Sequence, residues 1–178
     1  MTNGDILLVD YIIDPIGWFI KWVTHSKYNH VAWGLNEFFL IESTGRGIKI
    51  APVSKYLYSN LYKTKLIRLR DLSKKQINEI TKILLEQRCQ TPYWKFFISY
   101  FLVAFHKKGL VQNCSKFIFN AMKKIGYHLN EHNEHYIVPE DFNKAKQAEN
   151  ITGLLPMGSK HGRASRFFGE ILHHPARE

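Results

Sequence analysis

Apolar and polar positions fall into blocks along the chain, and each block has its own period. Ile6-Leu7-Leu8-Val9 is a short apolar run bounded by Asp5 and Asp10, the texture of a buried strand. Pro15 suits the first turn of a helix, and Ile16, Phe19, Ile20 and Val23 recur at helical spacing through Thr24. From His30 the period shortens to that of strands. His30 to Leu35 and Phe38 to Glu42 are β-prone runs separated by Asn36-Glu37, which predicts a hairpin. Gly47-Ile48-Lys49-Ile50, stopped by Pro52, predicts a third strand of the same meander.

Lys65 to Arg70 predicts a further strand, ended by Asp71. Ser73 followed by Gln76 has the spacing of a capping box, and Ile77, Ile80, Ile83 and Leu84 give the next helix its buried stripe as far as about Arg88. Thr91-Pro92 breaks it. Trp94 to Phe105 is apolar nearly all round, as in a helix that is either buried or membrane-facing, and Lys107-Lys108-Gly109 ends it. Cys114 to Ile125 predicts a helix with Phe117, Ile118, Ala121, Met122 and Ile125 on one side and Gly126 as its stop. Pro139-Glu140-Asp141 opens a last short helix reaching about Lys146.

A chain of 178 residues, 45% hydrophobic and 22% charged, holds enough apolar surface for one core. Disorder throughout is excluded. Residues 1–157 are expected to form the domain. The small, polar, basic stretch from Gly158 to Ser165 sets residues 158–178 apart as a basic tail, either a linker or a remnant of expression. A formal charge of +10 favours nucleic acid, anionic lipid or acidic polymers as partners. Its lysines and arginines are scattered, without an Arg-rich run or zinc-finger spacing, so we expect a solvated basic surface and no dedicated nucleic-acid binding. Two cysteines, Cys89 and Cys114, are too few for a disulfide framework. With no signal-peptide pattern after Met1 and no apolar run near the roughly twenty residues that span a bilayer, a soluble cytoplasmic protein is expected.

Cys114 stands at a predicted helix start, where unpaired N–H groups and the positive end of the helix dipole favour a thiolate. Position alone leaves it open whether Cys114 is a nucleophile or a small buried hydrophobe. Cys89, at a helix end, lacks that placement. A cysteine nucleophile needs a base, usually His, and a third group to orient the ring. His30 opens one predicted strand and Glu42 closes the next, so a hairpin turning near Asn36 sets the two side by side. A one-residue slip in register would undo the pairing, and taken singly each residue reads first as an ordinary strand position, His30 half-buried and Glu42 at a solvated strand end. His128, His132 and His135 would share one face of a continuous helix, a zinc-like spacing. They follow the stop at Gly126, are interspersed with Asn130 and Asn133, and lack the His-Glu-x-x-His order, so we read a polar loop there.

Five segments taken in order carry a family resemblance. They are Gly4-Asp5-Ile6-Leu7, Thr24 to Val31, Ile41-Glu42-Ser43, Asn113 to Ile118, and Val138 to Phe142. Together they resemble the permuted NlpC/P60 papain-like proteins, in the YiiX-like branch. The resemblance implies an α+β, papain-like fold with a central antiparallel sheet packed against helices. It matches His30 to the catalytic base, Glu42 to its polar partner and Cys114 to the nucleophile. Tyr93 resembles a tyrosine the family keeps near its pocket, although Gln90 stands where a Gly is usual. The implied chemistry is acyl transfer through a thioester, with no cofactor. The expected activity is hydrolysis of an amide or peptide bond. The alternatives are a lipid-directed acyltransferase or esterase working at an anionic membrane surface, and a non-catalytic basic binding module on the same scaffold.

Overall fold

The computed structural model describes residues 1–13, 15–44, 47–90, 114–129 and 137–154; the side chains at positions 16, 19, 20, 23, 89, 90 and 154 are not among those described. Six strands form one sheet: β1 (Ile6–Tyr11), β2 (His30–Gly34), β3 (Phe39–Thr44), β4 (Gly47–Pro52), β5 (Tyr62–Leu69) and β6 (Ala148–Asn150). They lie in the order β4-β3-β2-β1-β5-β6, and each neighbouring pair is antiparallel. The described helices are α1 (Pro15–Thr24), α2 (Ser54–Leu57), α3 (Lys74–Gln90), α4 (Cys114–Lys124) and α5 (Pro139–Lys144).

The run Ile6-Leu7-Leu8-Val9 does not alternate because β1 is interior to the sheet and both faces of the sheet are buried. Ile6 and Leu8 join Val31, Trp33, Ile41 and Ile67 in the larger core, against Ile80 and Leu84 of α3 and Phe117, Ile118 and Met122 of α4. Leu7 and Val9 point the other way, into a smaller core with Ala32, Leu40, Ala51, Val53, Tyr56 and Leu66. The predicted stripe of α3 is divided. Ile80 and Leu84 are buried and Ile77 and Ile83 are half-buried. Trp33 ties this helix to the sheet by donating from Nε1 to Thr81 Oγ1 at 3.0 Å.

Local signals set the element ends. Ser73 N–H donates to Gln76 Oε1 at 3.0 Å while Gln76 N–H donates to Ser73 Oγ at 3.3 Å, the reciprocal capping box expected of that spacing. After α4, Gly126 takes φ +74, and Tyr127 N–H returns to Met122 O at 3.0 Å. This is the left-handed stop that glycine supplies without steric cost.

Several expectations are corrected. The hairpin turn is longer than Asn36-Glu37, since β2 ends at Gly34 and β3 begins at Phe39. Asn36 Oδ1 accepts from both Phe38 N–H and Phe39 N–H, a side-chain turn that ends the ladder early. The β5 strand starts at Tyr62 and α5 stops at Lys144, while α2 and β6 match no predicted element. The α1 bounds match the expected ones, but the side chains of Ile16, Phe19, Ile20 and Val23 lie outside the described residues. So do the predicted Trp94 to Phe105 helix and the tail from residue 158. Among the described residues, no helix is long and apolar enough to cross a membrane.

Gly126→Ala should lower stability by about 1 kcal/mol, because a Cβ at positive φ is strained even with open space around it. Urea titration would show this as a lower midpoint at unchanged slope, and an unaltered midpoint would mean that the left-handed stop carries no strain.

Candidate active site

The histidine is placed by the loop that leads into its strand. Asn29 N–H donates to Val9 O at 3.0 Å. The Asn29 side chain accepts from Tyr11 N–H at 3.0 Å and donates to Tyr11 O at 3.1 Å, imitating one more ladder residue. Before it, Ser26 Oγ donates to Tyr28 O at 2.6 Å, and His25 turns the chain at φ +50. From the far end of the sequence, the buried Glu140 accepts Lys27 N–H on Oε2 at 3.1 Å and Asn143 Nδ2 on Oε1 at 2.8 Å. Two of the resembling segments therefore meet here, and together they hold the backbone ahead of His30.

Strand alternation then puts His30 and Glu42 on one face. Trp33 pairs with Ile41 and Gly34 with Leu40. Continued along the ladder, this register sets Glu42 opposite Ala32 and diagonal to His30, two residues away from the direct opposition expected. An even offset preserves the face. His30 Nε2 and Glu42 Oε2 are 2.7 Å apart, and the Glu42 side chain is fully buried.

Glu42 is surrounded by donors. The Tyr56 hydroxyl, from α2, donates to the same Oε2. Oε1 faces Lys55 Nζ at 3.4 Å and Lys49 Nζ at 3.5 Å. Lys55 also donates to the Tyr56 oxygen at 2.8 Å. Burial alone would raise the carboxyl; the hydrogen bond and charge of His30, then Tyr56 and Lys55, hold it down at about 2 instead. Tyr56 is pushed up by burial and by the Glu42 charge, so its phenol keeps its proton and donates.

Cys114 begins α4, as expected. With Nε2 engaged by Glu42 at 2.7 Å, Nδ1 is the ring nitrogen left for sulfur, and the thiol and imidazole influence each other's charge. Burial opposes charge on both. It is outweighed at His30 first by the Cys114 charge and then by Glu42, and the imidazole is pushed up to about 10. At Cys114 the His30 charge, followed by a hydrogen bond from Val31 N–H, overcomes burial and holds the thiol below its ordinary value. Each partner therefore favours the charged form of the other.

No protein family model and no curated protein matches this chain. Among solved structures it is similar to the metalloprotein YiiX from Escherichia coli O157:H7, DUF1105, with a TM-score of 0.62 at 16% identity, over 84% of this chain and 96% of that one. The chain has a YiiX-like fold. On this YiiX-like scaffold the structure brings His30, Glu42 and Cys114 together. Tyr93 lies outside the described residues, as do His132 and His135; His128 is exposed. Tyr56, Lys55, Lys49, Asn29 and the part played by Glu140 were not assigned from sequence. Lys49 was within reach of it, because a hairpin closing after Thr44 pairs Glu42 with Lys49. Tyr56 sits on a helix of four residues, too short to show a period.

A carboxyl lowered from its ordinary 4.5 to about 2 contributes stability that is present above the higher value and lost as pH falls through the lower one. The stability difference between wild type and Glu42→Gln should therefore narrow as pH is taken from about 6 to about 3. Denaturant titrations at both ends would check this. A gap that stays constant would mean that Glu42 is not held ionised.

Proposed function

We propose that the protein is a cysteine-dependent hydrolase of amide or peptide bonds, working through a thioester at Cys114 on a permuted NlpC/P60 papain-like scaffold. The observation that carries this reading is a thiol at a helix start, electrostatically coupled to an imidazole whose Nε2 lies 2.7 Å from a fully buried carboxylate. The order along the chain, His30 and Glu42 before Cys114, agrees with a permuted arrangement.

The chemistry follows from these positions. Cys114 Sγ attacks the carbonyl carbon, and the oxygen takes up the negative charge near the Cys114 N–H at the helix start. His30 passes its Nδ1 proton to the leaving amine as the C–N bond breaks, leaving a thioester. His30, now neutral, takes a proton from water as the water oxygen attacks the thioester carbon. The acid departs, the proton returns to the pair, and the thiolate is restored. Glu42 keeps the ring oriented and stabilises its charged form. Tyr93 remains a substrate-contact candidate from the family resemblance. The solved relative is described as a metalloprotein. In this chain His30 and Glu42 engage each other, and among the described residues no group of three or more His, Cys, Asp or Glu side chains is arranged to hold an ion.

A lipid-borne ester is the second substrate class, with acyl transfer to another acceptor in place of hydrolysis. It is favoured by exposed Ile12 and Ile13, at 45% and 61%, ahead of exposed Trp18 and Trp22 on one face of α1, at 70% and 68%. Tryptophan at such exposure suits a membrane interface, where one end of the ring is apolar and the other wet.

Iodoacetamide should label Cys114 at about pH 6 to 7, well before Cys89 and below the roughly 8.5 at which a free cysteine half-ionises. His30→Ala should move that profile to higher pH, and Glu42→Ala should move it less, as mapped by site-resolved mass spectrometry. Intact mass after incubation with amide, peptide and lipid ester panels should show an acyl adduct on Cys114. Co-sedimentation with anionic liposomes separates the lipid reading from the peptide one. Slow, equal labelling of both cysteines, unchanged by His30→Ala, would leave only the binding-module reading.

A further inference from the structure

The Glu42 carboxylate faces a choice of cations. His30 lies on Oε2, while Lys49 and Lys55, both partly exposed, lie within 3.5 Å of Oε1. A carboxylate free to rotate could turn both oxygens toward the two ammonium groups and leave the ring. What distinguishes the observed rotamer is the fixed donor on Oε2. The Tyr56 hydroxyl meets the oxygen that also faces His30 Nε2, and the Tyr56 ring is itself immobilised. It is buried in the smaller core, packs edge-on against Tyr62 with centroids 5.0 Å apart, and carries Lys55 Nζ 4.4 Å from its centroid.

We propose that Tyr56 is a positioning residue of this site, and that its buried hydroxyl pins Glu42 Oε2 under the imidazole and keeps the carboxylate from turning toward Lys49 and Lys55. Lys55 completes the arrangement by bridging the Tyr56 oxygen and Glu42 Oε1, which leaves it unable to draw the carboxylate away. This rests on the Cys114–His30 reading for its consequence in catalysis, but the pinning itself concerns only His30 and Glu42.

Tyr56→Phe tests it, because the ring and its packing stay while one oxygen is lost. Two readouts in the full chain keep the outcomes apart: the His30 titration followed by NMR, and the Cys114 alkylation rate across pH. With Glu42 released, the imidazolium loses support. The His30 titration should move down, and the alkylation profile should move up by about 0.5 to 1 pH unit. In a Glu42→Gln background the same change should add nothing further, because Tyr56 acts through that carboxylate. Unmoved profiles with a lowered melting temperature would reduce Tyr56 to a core residue and overturn the proposal. So would a His30 titration that rises, which would mean that the phenol only withdraws charge from Glu42. If Cys114 proves unreactive in wild type while Tyr56→Phe still shifts His30, the hydrolase reading falls and the pinning stands.

Discussion

A single buried carboxylate dictates how this end of the molecule must be built. Taking an ionised side chain out of water costs several kcal/mol even after relaxation, and Glu42 is fully buried. The charge persists only because every approach to it is occupied: an imidazole and a phenol on one oxygen, two ammonium groups on the other. Those partners come from β2 (His30), α2 (Lys55 and Tyr56) and β4 (Lys49), so one charge ties three separately formed elements into a fixed relation. Losing one partner of such a group typically costs about 3–5 kcal/mol, a large share of the stability of an ordinary domain.

The second constraint is the sheet itself, which stands between the two halves of the candidate site. Cys114 packs with the larger core under α4, while Glu42 and Tyr56 belong to the face of the smaller one. A residue in mid-strand could not touch both sides. His30, the first residue of β2, is linked to both: to Glu42 through Nε2 at 2.7 Å and to Cys114 through charge. Asn29 and Glu140 matter for the same reason. They hold the loop that leads into that residue.

What could be read from the sequence followed the strength of each local period. The β1 run, the α1 and α4 starts and the α3 capping box all rest on short-range rules, and the structure has them where those rules put them. His30 and Glu42 share a face by parity alone, which tolerated a turn two residues longer than Asn36-Glu37. Short elements left no such trace. The α2 helix has four residues and β6 has three; both exist because tertiary contacts hold them, so Tyr56 and Lys55 had no pattern to announce them. The hydrogen bond from Lys27 to Glu140 spans 113 positions, beyond any periodicity, and entered only as two segments of a family resemblance.

That long-range bond also sets a timetable. A ribosome releases residues 24–30 early, yet the backbone of Lys27 finds its acceptor only after Glu140 has been made and α5 has docked. His30 and Glu42 can pair far sooner, since twelve positions separate them. Cys114 emerges between these two events. During synthesis both His30 and Glu42 are therefore made well before Cys114. The loop ahead of His30 gains its Glu140 contact only once nearly the whole described domain has been translated.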